Sequence, residues 1–230
     1  MRRNAVSARS AARQAASARP SLARRLPRRT QESRSKAARE KLLQATIEVL
    51  QERGYSGLTT KEVAQRAGFS NGALMHHFST KADLVIAAGA HIYERHIENG
   101  RKVAASAAAR KDPLAAFVDD CVDVYLGASF IPTTEMMIAA RTDPLMNAPF
   151  DAFMQRYRKT MNEIWMQAFT RAGWSEEDAS FTIMSTLYII RGMGINSVWQ
   201  KNLPYYKRML REWVRLAQKG ALKGDRIDIR

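Results

Sequence analysis

Residues 58–84 read Leu58-Thr59-Thr60-Lys61-Glu62-Val63-Ala64-Gln65-Arg66-Ala67-Gly68-Phe69-Ser70-Asn71-Gly72-Ala73-Leu74-Met75-His76-His77-Phe78-Ser79-Thr80-Lys81-Ala82-Asp83-Leu84. Thr59 with Glu62 three residues on has the spacing of a capping box, so a helix starts at Thr60. Gly68 ends it, because a left-handed backbone is easiest for glycine. Ser70 is the next N-cap and opens a second short helix over Asn71–Phe78. Helix, tight glycine turn and helix together make the helix-turn-helix layout. Val63, Ala64, Ala67, Phe69 and Leu74 take the inward positions, with Ala64 small where the two helices cross. The outer face of the second helix carries Asn71, Ala73, His76 and His77, short and polar with few charges. A helix pressed into a DNA major groove needs hydrogen-bonding side chains of little bulk. The competing reading is an ordinary αα-hairpin, whose solvated face would carry more Glu and Lys.

The pattern extends to both sides. Residues 33–53 predict an amphipathic helix with one broad apolar stripe of Leu42, Leu43, Thr46, Ile47, Val49 and Leu50, ended by Gly54. A long helix starts near Ser79 and continues toward Arg110. Asp112-Pro113 opens another, with proline in the first turn. Pro132 interrupts that one, and a shorter helix covers Thr133–Arg141. Phe150–Ala172 and Ser175–Trp199 read as long helices, and Pro204 opens the last. No period-2 strand pattern and no repeat of 20–50 residues occurs. The expected fold is all-α, an N-terminal three-helix DNA-binding domain (32–90) followed by a larger helical domain (91–230).

Residues 58–84 also resemble the signature of tetracycline-repressor (TetR) type regulators, the likeness extending over about 34–90. It is carried by the ordered series Gly68, Leu74, His77-Phe78, Lys81 and Leu84. The resemblance implies that Thr60 and Lys61 touch phosphate or an adjacent base. It implies that Asn71, Gly72 and Ala73 face bases, that His76 and His77 approach the backbone or base edges, and that Lys81 neutralises a phosphate. Met75 stands where the family usually has a tyrosine, which removes one phosphate contact. The resemblance also implies that the last two helices form a dimeric four-helix bundle and that a small-molecule pocket lies among the middle helices.

Two residue patterns bear on those implications. The last two helices are apolar around too much of their surface for one packed side, which suggests a subunit interface. Leu187, Tyr188, Leu210, Trp213 and Val214 are its candidates, and a monomer core is the alternative. The middle helices are rich in methionine and aromatic residues, which suit both a core and an adaptable pocket. Met136, Met137, Met161, Trp165, Phe169 and Met184 are candidate pocket residues, with Tyr125 and Arg191 as polar groups to orient a ligand. Asn196 is a further polar candidate.

Composition limits the remaining possibilities. The chain has 230 residues, 37 Lys+Arg against 22 Asp+Glu, and a net charge of +15. Nine arginines and no acid lie in residues 1–31, so the rest of the chain carries only +6. That stretch is Arg, Ala and Ser with almost no large apolar side chain, and reads as a disordered basic tail. Its readings are a DNA-tracking arm, an organelle transit peptide, or translation started upstream of the true codon. The single Cys121 excludes a disulfide framework within one chain. The uncharged apolar run Ala179–Ile190 has 12 residues, well short of the roughly 18 apolar residues a membrane helix needs. His76 and His77 point about 100° apart on a helix, so no metal site is expected. Asp119, Asp120 and Asp123 read as a solvated acidic face. No phosphate loop, nucleophile elbow or zinc motif is present, and no cofactor is expected.

Together these readings predict a cytoplasmic, ligand-responsive transcription regulator, a repressor and not an enzyme. It would bind a palindromic double-stranded operator as a homodimer and be released by a small-molecule effector. The rival classes are a non-specific architectural DNA binder driven by the tail and an all-α enzyme.

Overall fold

The computed structural model describes residues 31–219; the basic stretch of residues 1–30 and the last residues, 220–230, lie outside them. The chain divides into two units, 1–37 and 38–230, and the second holds the hydrophobic cores. The described residues form ten helices and no strand: α1 Gln31–Gly57, α2 Thr60–Ala67, α3 Asn71–His77, α4 Lys81–Ala104, α5 Ala107–Lys111, α6 Pro113–Tyr125, α7 Phe130–Ala140, α8 Pro144–Arg171, α9 Glu176–Ser197 and α10 Leu203–Gln218.

Side-chain caps set most of these boundaries. Thr59 accepts from the Glu62 N–H at 3.2 Å, Ser70 from Ala73 at 3.1 Å and Thr80 from Asp83 at 3.0 Å. Gly68 takes φ +78°, which lets its own N–H reach the Gln65 carbonyl and the Phe69 N–H reach that of Ala64. Alanine at 68 meets no neighbour but must enter the left-handed region. Gly68→Ala should therefore cost about 1 kcal/mol, read as a drop of about 2–4 °C in Tm. An unchanged Tm would contradict the left-handed cap.

Several expected boundaries shift, each for a local reason. The helix from Lys81 stops at Ala104 rather than near Arg110, because Ser106 adopts an extended backbone and caps α5 by accepting from Ala109. Pro132 does not interrupt α6, which already ends at Tyr125; it sits in the first turn of α7, where a missing N–H costs nothing. Asp143 caps α8 through the Leu145 N–H, so that helix begins at Pro144, not Phe150, and contains Pro149.

Two cores hold the molecule together. The first joins Leu42, Val49 and Leu50 of α1 to Val63, Leu74, Leu84 and Val85, and it takes in Met136 and Ala140 of α7 and Met146 and Phe150 of α8. The helix-turn-helix head is thus completed by residues far beyond position 90. The second unites Leu114 and Phe117 of α6 with Trp165 and Phe169 of α8, Ile183 and Ile190 of α9 and Leu210 of α10. Burying a leucine or phenylalanine of this kind stabilises by roughly 1.5–3 kcal/mol. Helix α4 packs against both α7 and α8 and contributes to each core.

Candidate nucleic-acid interface and interior cavity

Leu74 of α3 is completely buried and fixes the helix against the head's core. That anchoring turns Asn71, Gly72, Met75 and His76 to solvent, leaves Ala73 and His77 half-buried, and exposes Lys61 beside a half-buried Thr60. The α3 face is short and carries no Asp, Glu, Lys or Arg. Ion pairs brace the head away from α3. Arg66 grips both carboxylate oxygens of Glu52 at 2.6 and 2.7 Å, and Arg53 meets Glu62 at 2.9 Å.

Lys81 behaves differently from the free cation expected at a phosphate. Its ammonium donates to the Tyr55 carbonyl at 2.6 Å and lies 4.3 Å from the centre of the Tyr55 ring. Burial lowers its pKa, against the pull of Asp143. That bond occupies one of the three ammonium donors. Lys81 is thus part of a clasp around the end of α1. The Tyr55 N–H donates to Glu135 of α7 at 2.9 Å, and the Tyr55 hydroxyl donates to Asp143 at the start of α8. Gly54, at φ +65°, makes room for it, since a Cβ there would lie 2.7 Å from a Glu135 carboxylate oxygen. The Tyr55 hydrogen bond and the Leu145 N–H hold the Asp143 carboxyl below the usual range. The pairing of Tyr55 with Asp143 across 88 residues has no local signal in the sequence.

A cavity of about 560 Å³ lies between α6, α8 and α9. Of the candidate pocket residues, Tyr125, Met161, Trp165, Met184 and Arg191 line it. Met136, Met137 and Phe169 do not. Met136 is buried in the head's core, where it packs on Gly89. Met137 is about half exposed on the outer side of α7. Phe169 is sealed between Phe117 and Trp174 in the second core. Asn196 is exposed and donates to the Tyr206 hydroxyl, so it is also outside the cavity. Sequence reasoning misses more than half of the lining, Phe117, Asp120 and Tyr157 among it, and assigns Leu187 and Tyr188, which also line the cavity, to a subunit interface. Asp120 corrects the reading of a solvated acidic face: Asp119 and Asp123 are exposed, but Asp120 is buried. It accepts from Asn99 Nδ2 at 2.7 Å, and the Trp165 indole N–H faces it without closing a hydrogen bond. Burial pushes the Asp120 carboxyl up, Asn99 and Trp165 pull it down, and Asp123 adds a smaller push.

Tyr125 couples the cavity to α7. Its hydroxyl accepts from Arg191 Nη2 at 3.1 Å, and its ring meets that of Phe130, the first residue of α7, edge-on at 6.3 Å. Glu135, five residues further along α7, is the residue that holds Tyr55.

His96, on α4, is mostly buried with Nδ1 lacking a partner, and burial together with Arg95 lowers its pKa to about 4. The unfolded chain, with an ordinary value near 6.5, binds the proton more readily. Stability supplied by the neutral imidazole is present above pH 6.5 and is lost as pH falls toward 4. Between pH 7 and pH 5 the loss is about 2 kcal/mol. Urea midpoints across that range should fall more steeply for the wild type than for His96→Gln; parallel curves would contradict the buried neutral imidazole.

The candidate subunit residues are placed unevenly. Tyr188 is exposed, while Leu187 and Val214 are half-buried against the second core. Half-buried Trp213 donates its indole N–H to Thr186 at 2.9 Å. Leu210 is 1% exposed and offers no surface to a second copy, because α10 turns it inward and shows its neighbour Met209 instead. The exposed apolar stripe runs through Phe181, Tyr188 and Ile195 of α9, Trp199 in the turn after it, and Tyr205, Met209 and Leu216 of α10. Among the described residues no helix is long and apolar enough to cross a membrane, and no cluster of three metal-ligating side chains occurs.

Comparison with known proteins bears on the same segments. The model of the family described as bacterial regulatory proteins, tetR family, matches residues 42–88, which run from α1 into α4. The HTH-type transcriptional regulator CymR of Pseudomonas putida is 29% identical over 199 residues, covering 86% of this chain and 98% of that protein. An uncharacterized HTH-type transcriptional regulator of Mycobacterium bovis is 30% identical over 135 residues, covering 59% of this chain and 69% of that protein. Among solved structures, a transcriptional regulator from Saccharomonospora viridis in complex with choline superposes with a TM-score of 0.64 at 18% identity, covering 78% of this chain and 96% of that one. The signature at 58–84, the all-α architecture and these relatives agree: the chain belongs to the tetR family of bacterial regulatory proteins and is a helix-turn-helix transcriptional regulator.

Proposed function

We propose that the protein is a one-component repressor: a homodimer that grips a palindromic operator and lets go when a small molecule enters the cavity between α6, α8 and α9. The carrying observation is the continuous path from that cavity to the head, through Tyr125, Phe130, Glu135 and Tyr55. In the dimer the exposed stripes of α9 and α10 meet as a four-helix bundle, an isologous contact. It sets two copies of α3 about 34 Å apart, one turn of DNA. Asn71, Gly72, Ala73 and His76 read base edges; Thr60, Lys61, His77 and the spare donors of Lys81 hold phosphates. A ligand that pushes on Tyr125 moves α7, and the clasp on Tyr55 carries that movement to α1 and the spacing of the heads. The ligand must bind the released state more tightly than the gripping one. The protein acts in the cytoplasm, where its DNA lies, with no enzymatic activity and no cofactor. The test is footprinting of the purified chain on DNA flanking its own gene. Protection of a discrete palindromic segment is expected. Uniform coating that vanishes with salt would favour an architectural binder driven by the nine tail arginines.

A further inference from the structure

We infer that the cavity takes an organic anion, a carboxylate carried on an apolar body, with Arg191 as its counter-ion. This rests on the reading of the cavity as the effector site and adds the chemistry of the effector. Arg191 is largely withdrawn from water on α9, and among the described residues no carboxylate forms an ion pair with it. Its one side-chain partner is the neutral Tyr125 hydroxyl, whose ring centre also lies 5.2 Å from the guanidinium. Burial alone would lower its pKa, but the phenols of Tyr125 and Tyr157 raise it overall, so it stays charged. A withdrawn charge without a counter-ion is costly, and a ligand carboxylate removes that cost. The guanidinium has five N–H donors and Tyr125 uses one, which leaves edges free for a two-pronged grip.

The other charges in the cavity wall point the same way. Arg158 and Lys159 stand exposed at its solvent side and add positive potential. Asp120, the one acid of the lining, is the natural rival because it would select a cation. Its carboxylate accepts from Asn99 and, unlike a guanidinium, can give up its charge by taking a proton, a change that burial favours. Apart from Asn162 the rest of the wall is apolar or aromatic, with Phe117, Tyr157, Met161 and Trp165 prominent. About 560 Å³ suits a small organic molecule, since ligand pockets run roughly 300–1,000 Å³.

The experiment is calorimetric titration of the full chain with 2-naphthoate and octanoate, with their neutral amides, and with the amines of the same carbon skeletons. At least one carboxylate should bind at least about tenfold more tightly than its amide and amine, a tenfold step being 1.4 kcal/mol. Arg191→Met should erase that preference, and Arg191→Lys, which keeps the charge and loses the fork, should restore part of it. Circular dichroism and operator binding without ligand check that both variants fold. The inference is overturned by preference for the amines or amides, by unchanged carboxylate affinity in Arg191→Met, or by failure of every carboxylate to bind at millimolar concentration. The two readings can fail separately. Carboxylate binding with no effect on DNA affinity overturns the effector role and keeps the anion site. Release from DNA by the amines alone does the reverse.

Discussion

Gly72→Glu is expected to abolish specific DNA binding, with a loss of affinity of about 100-fold or more, while leaving the fold intact. Gly72 is exposed in the first turn of α3, and a Cβ there meets only Ser70 Oγ, at 3.9 Å. A glutamate therefore fits, and near a helix N-terminus it even favours the helix. On DNA the same side chain brings a negative charge against phosphates and electron-rich base edges. A 100-fold loss is about 2.7 kcal/mol, a modest figure for a desolvated like charge. Fluorescence anisotropy on the operator, with circular dichroism alongside, reads both halves of the expectation. Parent-like affinity would show that α3 does not enter the groove. Ala73→Glu should behave alike on DNA but, being half-buried, tests the fold less cleanly.

The second large effect concerns assembly. Ile195 sits in the exposed stripe of α9 and is 50% exposed, so Ile195→Asp should leave the single chain folded. In a symmetric bundle that aspartate is buried against apolar neighbours or its own copy, at a cost of several kcal/mol. The variant should run as a monomer in sedimentation velocity, where the parent runs as a dimer. Its operator affinity should fall about 100-fold or more, because two half-sites no longer add. A parent chain that is itself monomeric at micromolar concentration would remove the dimer from the proposal. A variant that stays dimeric would move the interface off this stripe.

The head is legible in the sequence because its signals are local. Thr59 with Glu62, Gly68 and Ser70 each act within four residues, and α2 and α3 have the expected starts and turns. The break at Ser106 is hidden because 104–110 contains only Ala, Ser and Arg, with no glycine or proline to mark it. The cavity is legible only in part. Met136 and Met161 are alike as sequence; one fills the head's core and the other lines the cavity, a choice made by how α7 and α8 pack. Asp120 looks like its neighbours Asp119 and Asp123 until Asn99, 21 residues away, claims it. Leu210 and Met209 are adjacent, and only the rotation of α10 decides which faces out. The clasp on Tyr55 joins residues 80 and 88 positions apart, beyond the reach of any periodicity.

Sequence-specific binding by a symmetric pair of heads is tested most directly by selecting the purified full chain against random double-stranded DNA at physiological salt, followed by sequencing. Two heads set by one dimer axis should enrich a single inverted repeat whose half-site centres lie about 10 base pairs, or a multiple of that, apart. Gly72→Glu should lose that enrichment. Recovery of DNA with no enriched sequence, or of a single half-site without its inverted partner, would contradict the paired-head mechanism.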